Sequence, residues 1–304
     1  MIDARRDAQS TGEFAEFAAT WRPRVEAALD QLLPAEDEAP TELHRAMRYA
    51  MFPGGKRLRP ILALVAARCS GGDPERALVP AAALELVHTY SLVHDDLPCM
   101  DDDALRRGRP TTHVAFGEAT ALLAGDALLT LAFEAVAAAG GDAVRALARA
   151  AGALGMVGGQ VGDLAAEGRA VDLTQLEWIH DRKTGALIVA SLEVGLRAGG
   201  GDLSILEDLV AYGREIGRAF QIADDCLDVT GSAEELGKEP GQDAAHQKST
   251  YPSLLGLERS LEVARELAAS AANRAPDLCR AGPSLDDGVR LLQDLAFAVV
   301  ARRA

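Results

Sequence analysis

Apolar residues recur at helical spacing along most of the chain, and glycine and proline cluster between these segments. Residues 1–12 lack this spacing and are predicted to be a frayed N-terminal tail. Helices are predicted at Phe14–Leu33, Thr41–Met51 with Thr41 as the N-cap, Ile61–Arg68, Val79–Leu97 and 117–139. Further helices are predicted at 142–158, 172–198, 202–229, 252–272 and 285–302, with a mobile loop at 231–251. The pattern therefore predicts an all-α protein.

Composition supports one helical domain. Hydrophobic residues make up 48% and aromatic residues 4% of the 304 residues, and long runs of alanine and leucine favour helix. No linker or fixed-period repeat interrupts the chain, so residues 1–304 are predicted to form a single domain. The most apolar stretch, Ala119–Ala139, contains Asp126 and Glu134, and we expect a buried helix there and no membrane span.

Charge and cysteine usage exclude several classes of partner. The net charge of −15 argues against binding to nucleic acid or to an anionic membrane surface. The four cysteines form no Cys-x-x-Cys motif, and the charged first residues contain no apolar signal segment. We therefore expect a reduced, cytoplasmic protein.

Two aspartate clusters are the main candidates for chemistry. The first holds Asp95, Asp96 and Asp101, and the second holds Asp224, Asp225 and Asp228. One such cluster arises easily by chance, so only the presence of two indicates a functional site. Crowded carboxylates repel each other unless a cation neutralises them, and their oxygens suit Mg²⁺ together with substrate phosphate. The pair predicts a cleft with two acidic walls that holds a diphosphate through magnesium.

Helical geometry predicts which aspartates share a face more clearly for the second cluster than for the first. Asp224 and Asp228 lie one turn apart on one helix face, with Asp225 beside Asp228. In the first cluster, Asp101 follows Asp95 by six residues, which a regular helix places on the wrong face, although Pro98 is expected to distort the helix. Asp102, at seven residues, aligns without distortion. Both Asp101 and Asp102 therefore stay open as the distal ligand.

Basic residues stand close to both parts of this pattern. Lys56 and Arg59 flank a Gly-Gly turn that leads into a helix N-terminus, where backbone amides favour an anion. Arg106 and Arg107 follow the first acidic cluster, and arginine binds phosphate through a two-pronged fork. Together these cations predict two diphosphate pockets, one reached through magnesium and one held by lysine and arginine alone.

The motifs resemble those of a known family. Val87–Asp101 with Leu105–His113 is similar to the first aspartate-rich motif of short-chain trans-polyprenyl diphosphate synthases, and Phe220–Asp228 is similar to the second. Further matching segments follow in the family's order: Gly54–Pro60, Lys183–Leu187, Gly237-Lys238 and Lys248–Pro252. The resemblance covers about residues 40–300, departs from the family at Ala104, and is strongest to the bacterial farnesyl type.

The resemblance implies a fold and a role for each matching residue. The fold would be an isoprenoid-synthase-type helical bundle around a central cavity. Magnesium would be held by Asp95, Asp96, Asp101, Asp224, Asp225 and Asp228. The allylic diphosphate would be held by Arg106, Lys183 and Lys238, and Thr184 and Gln221 would line the reaction centre. Isopentenyl diphosphate would be held by Gly55, Lys56, Arg59, His88 and Arg107, with Arg302 and Arg303 as a cover.

The implied activity is a head-to-tail prenyl transfer that needs three Mg²⁺ ions, with Mn²⁺ as a substitute. Isopentenyl diphosphate would be joined to dimethylallyl and geranyl diphosphate to give farnesyl diphosphate, and a homodimer is expected. Pyrophosphate would accept the released proton, so His94 is expected to support the neighbouring acids and not to act as a base.

The expected product length depends on Tyr90, with Ser91 beside it. Tyr90 precedes Asp95 by five residues, about 7.5 Å along a helix, and the resemblance makes it the floor of the tail pocket. Ideal helix geometry alone would leave it an ordinary core tyrosine. Geranyl or geranylgeranyl diphosphate synthase is therefore the alternative. A terpene cyclase, a non-catalytic partner subunit or an acidic helical scaffold would each leave one set of these residues unexplained.

Overall fold

The computed structural model describes residues 12–231, 248–279 and 285–301. In these ranges the helices are α1 (Glu13–Leu32), α2 (Thr41–Met51), α3 (Leu58–Cys69), α4 (Pro74–Asp95), α5 (Thr112–Phe116), α6 (Glu118–Ala137) and α7 (Gly141–Ala151). They continue with α8 (Met156–Ala166), α9 (Leu173–His180), α10 (Ala186–Gly199), α11 (Leu206–Thr230), α12 (Tyr251–Leu255), α13 (Leu257–Leu278) and α14 (Leu285–Ala298). The predicted all-α class is confirmed.

Short non-α elements connect some of these helices. A π-helical turn, Asp181–Gly185, joins α9 to α10, and a 3₁₀ turn, Leu203–Ile205, precedes α11. Strand β1 (Leu105–Arg106) pairs antiparallel with β2 (Arg109–Pro110). This hairpin presents the two arginines that follow the first acidic cluster.

Local sequence explains where several helices begin. Asp73 accepts a hydrogen bond from the backbone N–H of Glu75 and Pro74 occupies the first helical position, so α4 starts there and not at the predicted Val79. At α2 the N-cap is Pro40, without a side-chain bond, so the prediction that Thr41 caps this helix is wrong. The apolar spacing had placed the rest of α2 correctly.

Helices α3, α4 and α10 lie at the centre of the protein. Nine of the twelve residues of α3 are buried. A methyl group on Gly195 of α10 would collide with the backbone carbonyl of Ala63 of α3, so glycine lets these two helices touch backbone to backbone. Most of the buried apolar residues between Phe17 and Val299 belong to one large cluster, which includes residues of all three helices.

Two predicted helices are interrupted in the structure. The segment 142–158 is split into α7 and α8, because Gly152 adopts an extended conformation and Gly155 precedes the start of α8. The segment 172–198 is interrupted by the π-helical turn. The predicted loop at 231–251 falls largely outside the described residues, as does the predicted N-terminal tail.

Helix α6 is only half-covered by the rest of the chain. Its buried face includes Ala121, Ala124 and Leu128, whereas Leu122 and Leu123 are 47% and 56% exposed. Among the described helices it is the one that is long and apolar enough to cross a membrane, and 39% of its most apolar 18-residue stretch is buried. A core helix can have the same length and composition, so these properties alone do not indicate a membrane span. The prediction of a buried helix is right for one face only.

Candidate active site

The chain folds back over the end of α4 and brings Asp101 next to Asp95. The helix ends at Asp95, and the backbone N–H of Asp101 then donates a 2.8 Å hydrogen bond to the Asp95 carbonyl. Asp102 takes a left-handed conformation and its N–H bonds the carbonyl of Leu97. Asp101 is therefore the carboxylate that returns to Asp95, which distinguishes it from Asp102.

Charge in this turn acts directly on Asp95. Burial raises the pKa of the Asp95 carboxyl, Lys183 lowers it, and the nearby Asp101 raises it, with a net upward shift. A carboxyl whose ionised form is disfavoured by a second carboxylate gains most from a cation. The Asp95–Asp101 pair thus has the oxygen donors and the mutual repulsion that suit a hard divalent ion.

Two residues on α8 complete this wall, and the sequence analysis missed both. The Gln160 side-chain amide donates a 2.6 Å hydrogen bond to Asp95. Asp163, one turn further, accepts hydrogen bonds from Lys183 at 2.6 Å and Lys248 at 3.1 Å. The spacing of three residues between Gln160 and Asp163 was the available signal, but the predicted helix ended before it.

Asp163 holds the two lysines in place. Burial raises the pKa of the Asp163 carboxyl, but Lys183 and Lys248 outweigh burial and lower it. Burial lowers the pKa of Lys248, and Asp163 and Asp101 reverse that shift, so the amine stays charged. Lys248 also lies 3.8 Å from Asp101 and 3.7 Å from Glu167. Positive charge is therefore fixed beside the first acidic cluster.

The π-helical turn positions Lys183 and Thr184. A methyl group on Gly159 would collide with the backbone of Lys183, so α8 packs directly against this turn. The Thr184 hydroxyl donates a 2.7 Å hydrogen bond to the Gln221 carboxamide oxygen. Wider turns of this kind often occur at functional sites. The predicted reaction-centre pair Thr184–Gln221 is thus in direct contact.

The second acidic cluster lies on α11, where Asp225 and Asp228 are buried and Asp224 is partly exposed. One oxygen of Asp225 accepts a hydrogen bond from Gln221 at 3.1 Å, and the other accepts the backbone N–H of Tyr251 at 3.0 Å. Asp225 therefore anchors the start of α12. Its role as a metal ligand stays a prediction, and these contacts give it a second role.

The two acidic walls are connected by contacts through neighbouring elements. One path runs from Asp95 through Gln160 and α8 to the π-helical turn, and from Thr184 through Gln221 to Asp225. Lys248 and Tyr251 form a second path. Within the described ranges, no three acidic, histidine or cysteine side chains already form a metal cluster. The carboxylates fit magnesium by oxygen chemistry and are not preassembled around it.

Arg107 covers the Gly-Gly turn that precedes α3. Its guanidinium donates a hydrogen bond to the Gly54 carbonyl, and a methyl group on Gly55 would lie 2.7 Å from the same guanidinium. Gly55 also has a φ of +150°, a backbone conformation that residues with a side chain rarely adopt. Lys56 is exposed on the turn and Arg59 is partly buried in the first turn of α3. The predicted cations Lys56, Arg59 and Arg107 are thus gathered in one region.

A cavity that opens to solvent lies between this turn, α4 and the hairpin, with about 520 Å³ of empty space including its mouth. Its charged lining consists of Arg57, Glu85, Asp96, Arg106, Arg107 and Arg109, with His88 among them. Burial lowers the pKa of His88 well below its usual value, and the charges of Arg59, Arg107, Arg106 and Arg57 lower it further. His88 is therefore neutral and able to accept as well as donate a hydrogen bond.

Asp96 and Arg106 form the side of this cavity nearest the acidic cluster. Arg106 contacts Asp96 at 2.6 Å and Asp103 at 3.3 Å. Burial lowers the pKa of Arg106, and Asp96 outweighs that effect, so the guanidinium stays charged. Asp96, which is 3% exposed, therefore has an arginine as its neighbour. Its predicted supporting role toward magnesium stays a prediction.

Tyr90, Ser91 and His94 occupy the last turns of α4. Tyr90 is 5% exposed, and its ring meets the edge of His94 with centroids 5.6 Å apart. Ser91 donates a 2.8 Å hydrogen bond to the His88 carbonyl. The Nε2 atom of His94 is 3.0 Å from the carbonyl oxygen of Leu122 on α6. This hydrogen bond is to a backbone group on another helix and not to a neighbouring acid. Lys238, Arg302 and Arg303 lie outside the described residues.

Comparisons with known proteins identify the family. Residues 40–279 match the model of the family described as polyprenyl synthetase. The chain belongs to the polyprenyl synthetase family. It is 46% identical over 276 residues, 86% of this chain and 74% of the relative, to the heterodimeric geranylgeranyl pyrophosphate synthase large subunit 1, chloroplastic, of Arabidopsis thaliana.

Solved structures agree with this polyprenyl synthetase assignment. An FPP/GFPP synthase from Zymomonas mobilis superposes with a TM-score of 0.77 and 39% identity, over 93% of this chain and 99% of that one. A polyprenyl synthase from Caulobacter crescentus, complexed with calcium and isoprenyl diphosphate, gives 0.86 and 29%, over 97% and 100%. The all-α, isoprenoid-synthase-type fold and the short-chain prenyltransferase class are therefore confirmed.

The comparisons correct one prediction and weaken another. The predicted cytoplasmic location is wrong by this evidence, because the Arabidopsis relative and several other curated plant relatives carry chloroplastic in their names. Those curated relatives are mostly named as geranylgeranyl diphosphate synthases. They favour the alternative product over farnesyl diphosphate.

Proposed function

We propose that this prenyltransferase joins isopentenyl diphosphate head-to-tail to an allylic diphosphate, with magnesium at its two acidic clusters. The observation that carries the proposal is that the cation-lined cavity and the first acidic cluster both adjoin one helix. His88, in the cation-lined cavity, precedes Asp95 by seven residues on α4, which corresponds to two turns and about 10 Å. That separation suits two diphosphates whose prenyl groups meet between them.

The first anion site would hold isopentenyl diphosphate without a metal. The charged groups that line the cavity are four arginines and two carboxylates, Glu85 and Asp96, so its lining carries a net positive charge before Lys56 and Arg59 are added. Neutral His88 and the guanidinium of Arg107 supply further hydrogen bonds. Gly55 allows Arg107 to approach, and a bound diphosphate would replace the Gly54 carbonyl as its partner.

The second anion site would hold the allylic diphosphate. Lys183 and Arg106 both lie close enough to Asp95 for their charges to lower its pKa. Lys238 is proposed as a further cation at this site. Three Mg²⁺ ions would be held by the six predicted aspartates, with Asp95, Asp101 and Asp224 as the central ligands, and Mn²⁺ is expected to substitute. When bound, the ions neutralise the departing pyrophosphate.

The reaction would begin when the allylic C–O bond breaks and pyrophosphate leaves with the bonding electrons. Arg106 and Lys183 stabilise its growing charge. The oxygens of Thr184 and Gln221, which share a 2.7 Å hydrogen bond, would supply partial negative charge near the allylic cation. The alkene of isopentenyl diphosphate attacks that cation, and a proton then passes to pyrophosphate. Water must be excluded meanwhile, which the apolar core beneath α4 favours.

Geranylgeranyl diphosphate is the proposed main product, because the names of the curated relatives favour it. Farnesyl diphosphate is the second candidate, and one observation supports it. Tyr90 is buried one turn before His94 on α4. Burial, together with the charge of nearby Asp95, raises the pKa of Tyr90 to about 12. A bulky ring at this depth would stop a growing tail early.

A homodimer is also proposed. Leu122 and Leu123 of α6 expose apolar surface beside the turn that carries Asp95, and a second copy would cover it. The Arabidopsis relative is named as the subunit of a heterodimer, so a different partner subunit is the competing result. Light scattering on the purified protein distinguishes one copy from two.

One incubation tests the main proposal. The purified chain is given isopentenyl diphosphate with dimethylallyl diphosphate, in Mg²⁺ or in excess chelator, and the dephosphorylated products are separated by chromatography. We expect a C20 alcohol, or a C15 alcohol if Tyr90 limits the tail, and no product in chelator. A product formed equally well in chelator would refute the role of magnesium, and a cyclic hydrocarbon would refute head-to-tail transfer.

A further inference from the structure

Arg57 stands between two predicted substrate cations but is buried and fully engaged with protein. It follows Lys56, is 3% exposed, and has the left-handed backbone conformation at φ +50° just before α3. That conformation is uncommon for a residue other than glycine. A buried arginine in this conformation must be held by its contacts, and those contacts show what it does.

The Arg57 guanidinium joins three helices. Its Nε and one terminal nitrogen donate to the two oxygens of Glu26 on α1, at 2.7 and 3.1 Å. Its other terminal nitrogen donates to Glu85 on α4 at 2.9 Å, and a fourth bond reaches the carbonyl of Met51 at the end of α2, at 2.8 Å. These four hydrogen bonds leave little donor capacity for a substrate.

The carboxylate of Glu85 is unfavourable for anion binding in this cavity. It is 3% exposed, lines the same cavity as His88 and Arg107, and lies one turn before His88 on α4. A buried carboxylate there repels a diphosphate unless a cation neutralises it. Arg57 supplies that cation at 2.9 Å and draws the Gly-Gly turn onto α4 by the same contact.

We propose that Arg57, through Glu85 and Glu26, is a positioning residue that sets the isopentenyl diphosphate site by holding the Lys56 turn against α4. The proposal rests on the proposed function and adds a residue to it. Arg57 does not touch substrate. It fixes the backbone from which Lys56 and Arg59 reach the anion, and it removes the opposing charge of Glu85.

The selective effect distinguishes this role from simple stabilisation. Arg57 contacts α4 at Glu85, ten residues and about 15 Å before Asp95, whereas Lys183 and Thr184 lie in the π-helical turn. Loss of the Arg57 contacts should therefore raise the KM for isopentenyl diphosphate at least tenfold. The KM for the allylic diphosphate should change less than threefold. Arg57→Lys retains the charge but not the fork, and should recover only part of the loss.

A paired variant separates position from stability. Arg57→Met leaves Glu85 buried without its cation and should lower the melting temperature. Arg57→Met with Glu85→Met removes both charges and should restore the melting temperature while the KM for isopentenyl diphosphate stays raised. Arg274→Met breaks an ion pair between two other helices, to Glu215 between α13 and α11, that is more exposed than the Arg57 pair. It serves as the control for the loss of an interhelical ion pair away from the site, with both KM values unchanged.

Steady-state kinetics for both substrates, and calorimetric titration of isopentenyl diphosphate without metal, test the proposal. It is overturned if the double variant regains the normal KM and the normal dissociation constant, or if both substrates lose affinity equally. Wild-type protein that fails to elongate any allylic diphosphate refutes the proposed function instead. The metal-free titration then still decides whether Arg57 positions an isopentenyl diphosphate site.

Discussion

The Gln160 side-chain amide lies 2.6 Å from a carboxylate oxygen of Asp95 and donates a hydrogen bond to it. Gln160 thereby orients the acid that ends α4, while Asp101 approaches the same acid from the turn that follows. Groups that orient metal ligands are often nearly as important as the ligands themselves.

Gln160→Ala should lower kcat by about ten- to a hundredfold, because Asp95 loses the group that fixes its orientation. The same change should raise the Mg²⁺ concentration needed for half-maximal activity. Gln31→Ala, on an exposed position of α1, is the control and should leave both quantities unchanged. A normal magnesium requirement in Gln160→Ala would contradict the prediction.

Asp95→Ala or Asp224→Ala should lower turnover by more than a hundredfold while the melting temperature changes little. Each variant removes one proposed ligand of the leaving pyrophosphate's cations. Asp286→Ala is a matched control, because Asp286 also belongs to a paired-aspartate sequence but is exposed on α14. Turnover and circular dichroism should be measured on the same preparations. Near-normal turnover in either active-site variant would remove that acid from the metal site.

Gly159→Ala should reduce both activity and stability, because its methyl group collides with the backbone of Lys183. Overpacking of this kind costs about 1–3 kcal/mol. Gly141→Ala is the control, because a methyl group there meets open space at the start of α7, and it should stabilise the fold by up to about 1 kcal/mol. Urea unfolding measures both. Equal effects from the two substitutions would show that α8 does not pack tightly on the lysine turn.

If the wild-type product is C15, Tyr90→Ala should lengthen it by at least one five-carbon unit, because the buried ring would no longer limit the descending tail. Tyr49→Ala, near the hairpin and not on this part of α4, is the comparison variant and should keep the wild-type chain length. Chromatography of the dephosphorylated products gives the answer. An unchanged product in Tyr90→Ala would mean that the ring is only part of the core.

Stability should fall as the pH drops below about 6.5, and His88 should account for part of the fall. The folded state lowers the pKa of His88 by burial and by the surrounding arginines, whose charges are opposed in the same cavity by Glu85 and Asp96. Below pH 6.5 the unfolded chain takes up the proton first, so unfolding becomes favoured by about 1.4 kcal/mol per pH unit.

The pH prediction is checked by urea unfolding at pH 7.5 and 5.5. The contribution of His88 to the free energy of unfolding of the wild-type protein should fall by about 1 kcal/mol from pH 7.5 to pH 5.5. His88→Gln should show a smaller difference, since glutamine does not titrate. If the variant retains the full wild-type difference, other groups cause the pH dependence.

The sequence could predict the helical class and the order of the motifs, because apolar spacing and residue identity are local properties. It placed α1, α2 and the end of α11 within one or two residues. It also named both members of the Thr184–Gln221 contact through resemblance. Their hydrogen bond, between residues 37 positions apart, needed the structure.

The remaining features depend on contacts that spacing does not record. Asp101 returns to Asp95 because one backbone N–H bonds one carbonyl, and no side-chain pattern distinguishes that turn from a regular helix that favours Asp102. Gln160 and Asp163 escaped prediction because the α7–α8 break shifted the expected helix end. The second role of Asp225, as acceptor for Tyr251, joins positions 26 residues apart.

The π-helical turn also sets the rotation of the following helix, α10, about its own axis. Hydrogen bonds in such a turn span one residue more than in an α-helix, and one residue corresponds to about 100° of rotation. Gly195 meets Ala63 on α3 only in the phase that the extra residue gives. Deletion of a single residue from Asp181–Gly185 would therefore leave Lys183 near its place and turn the central contact face of α10 away from its neighbour.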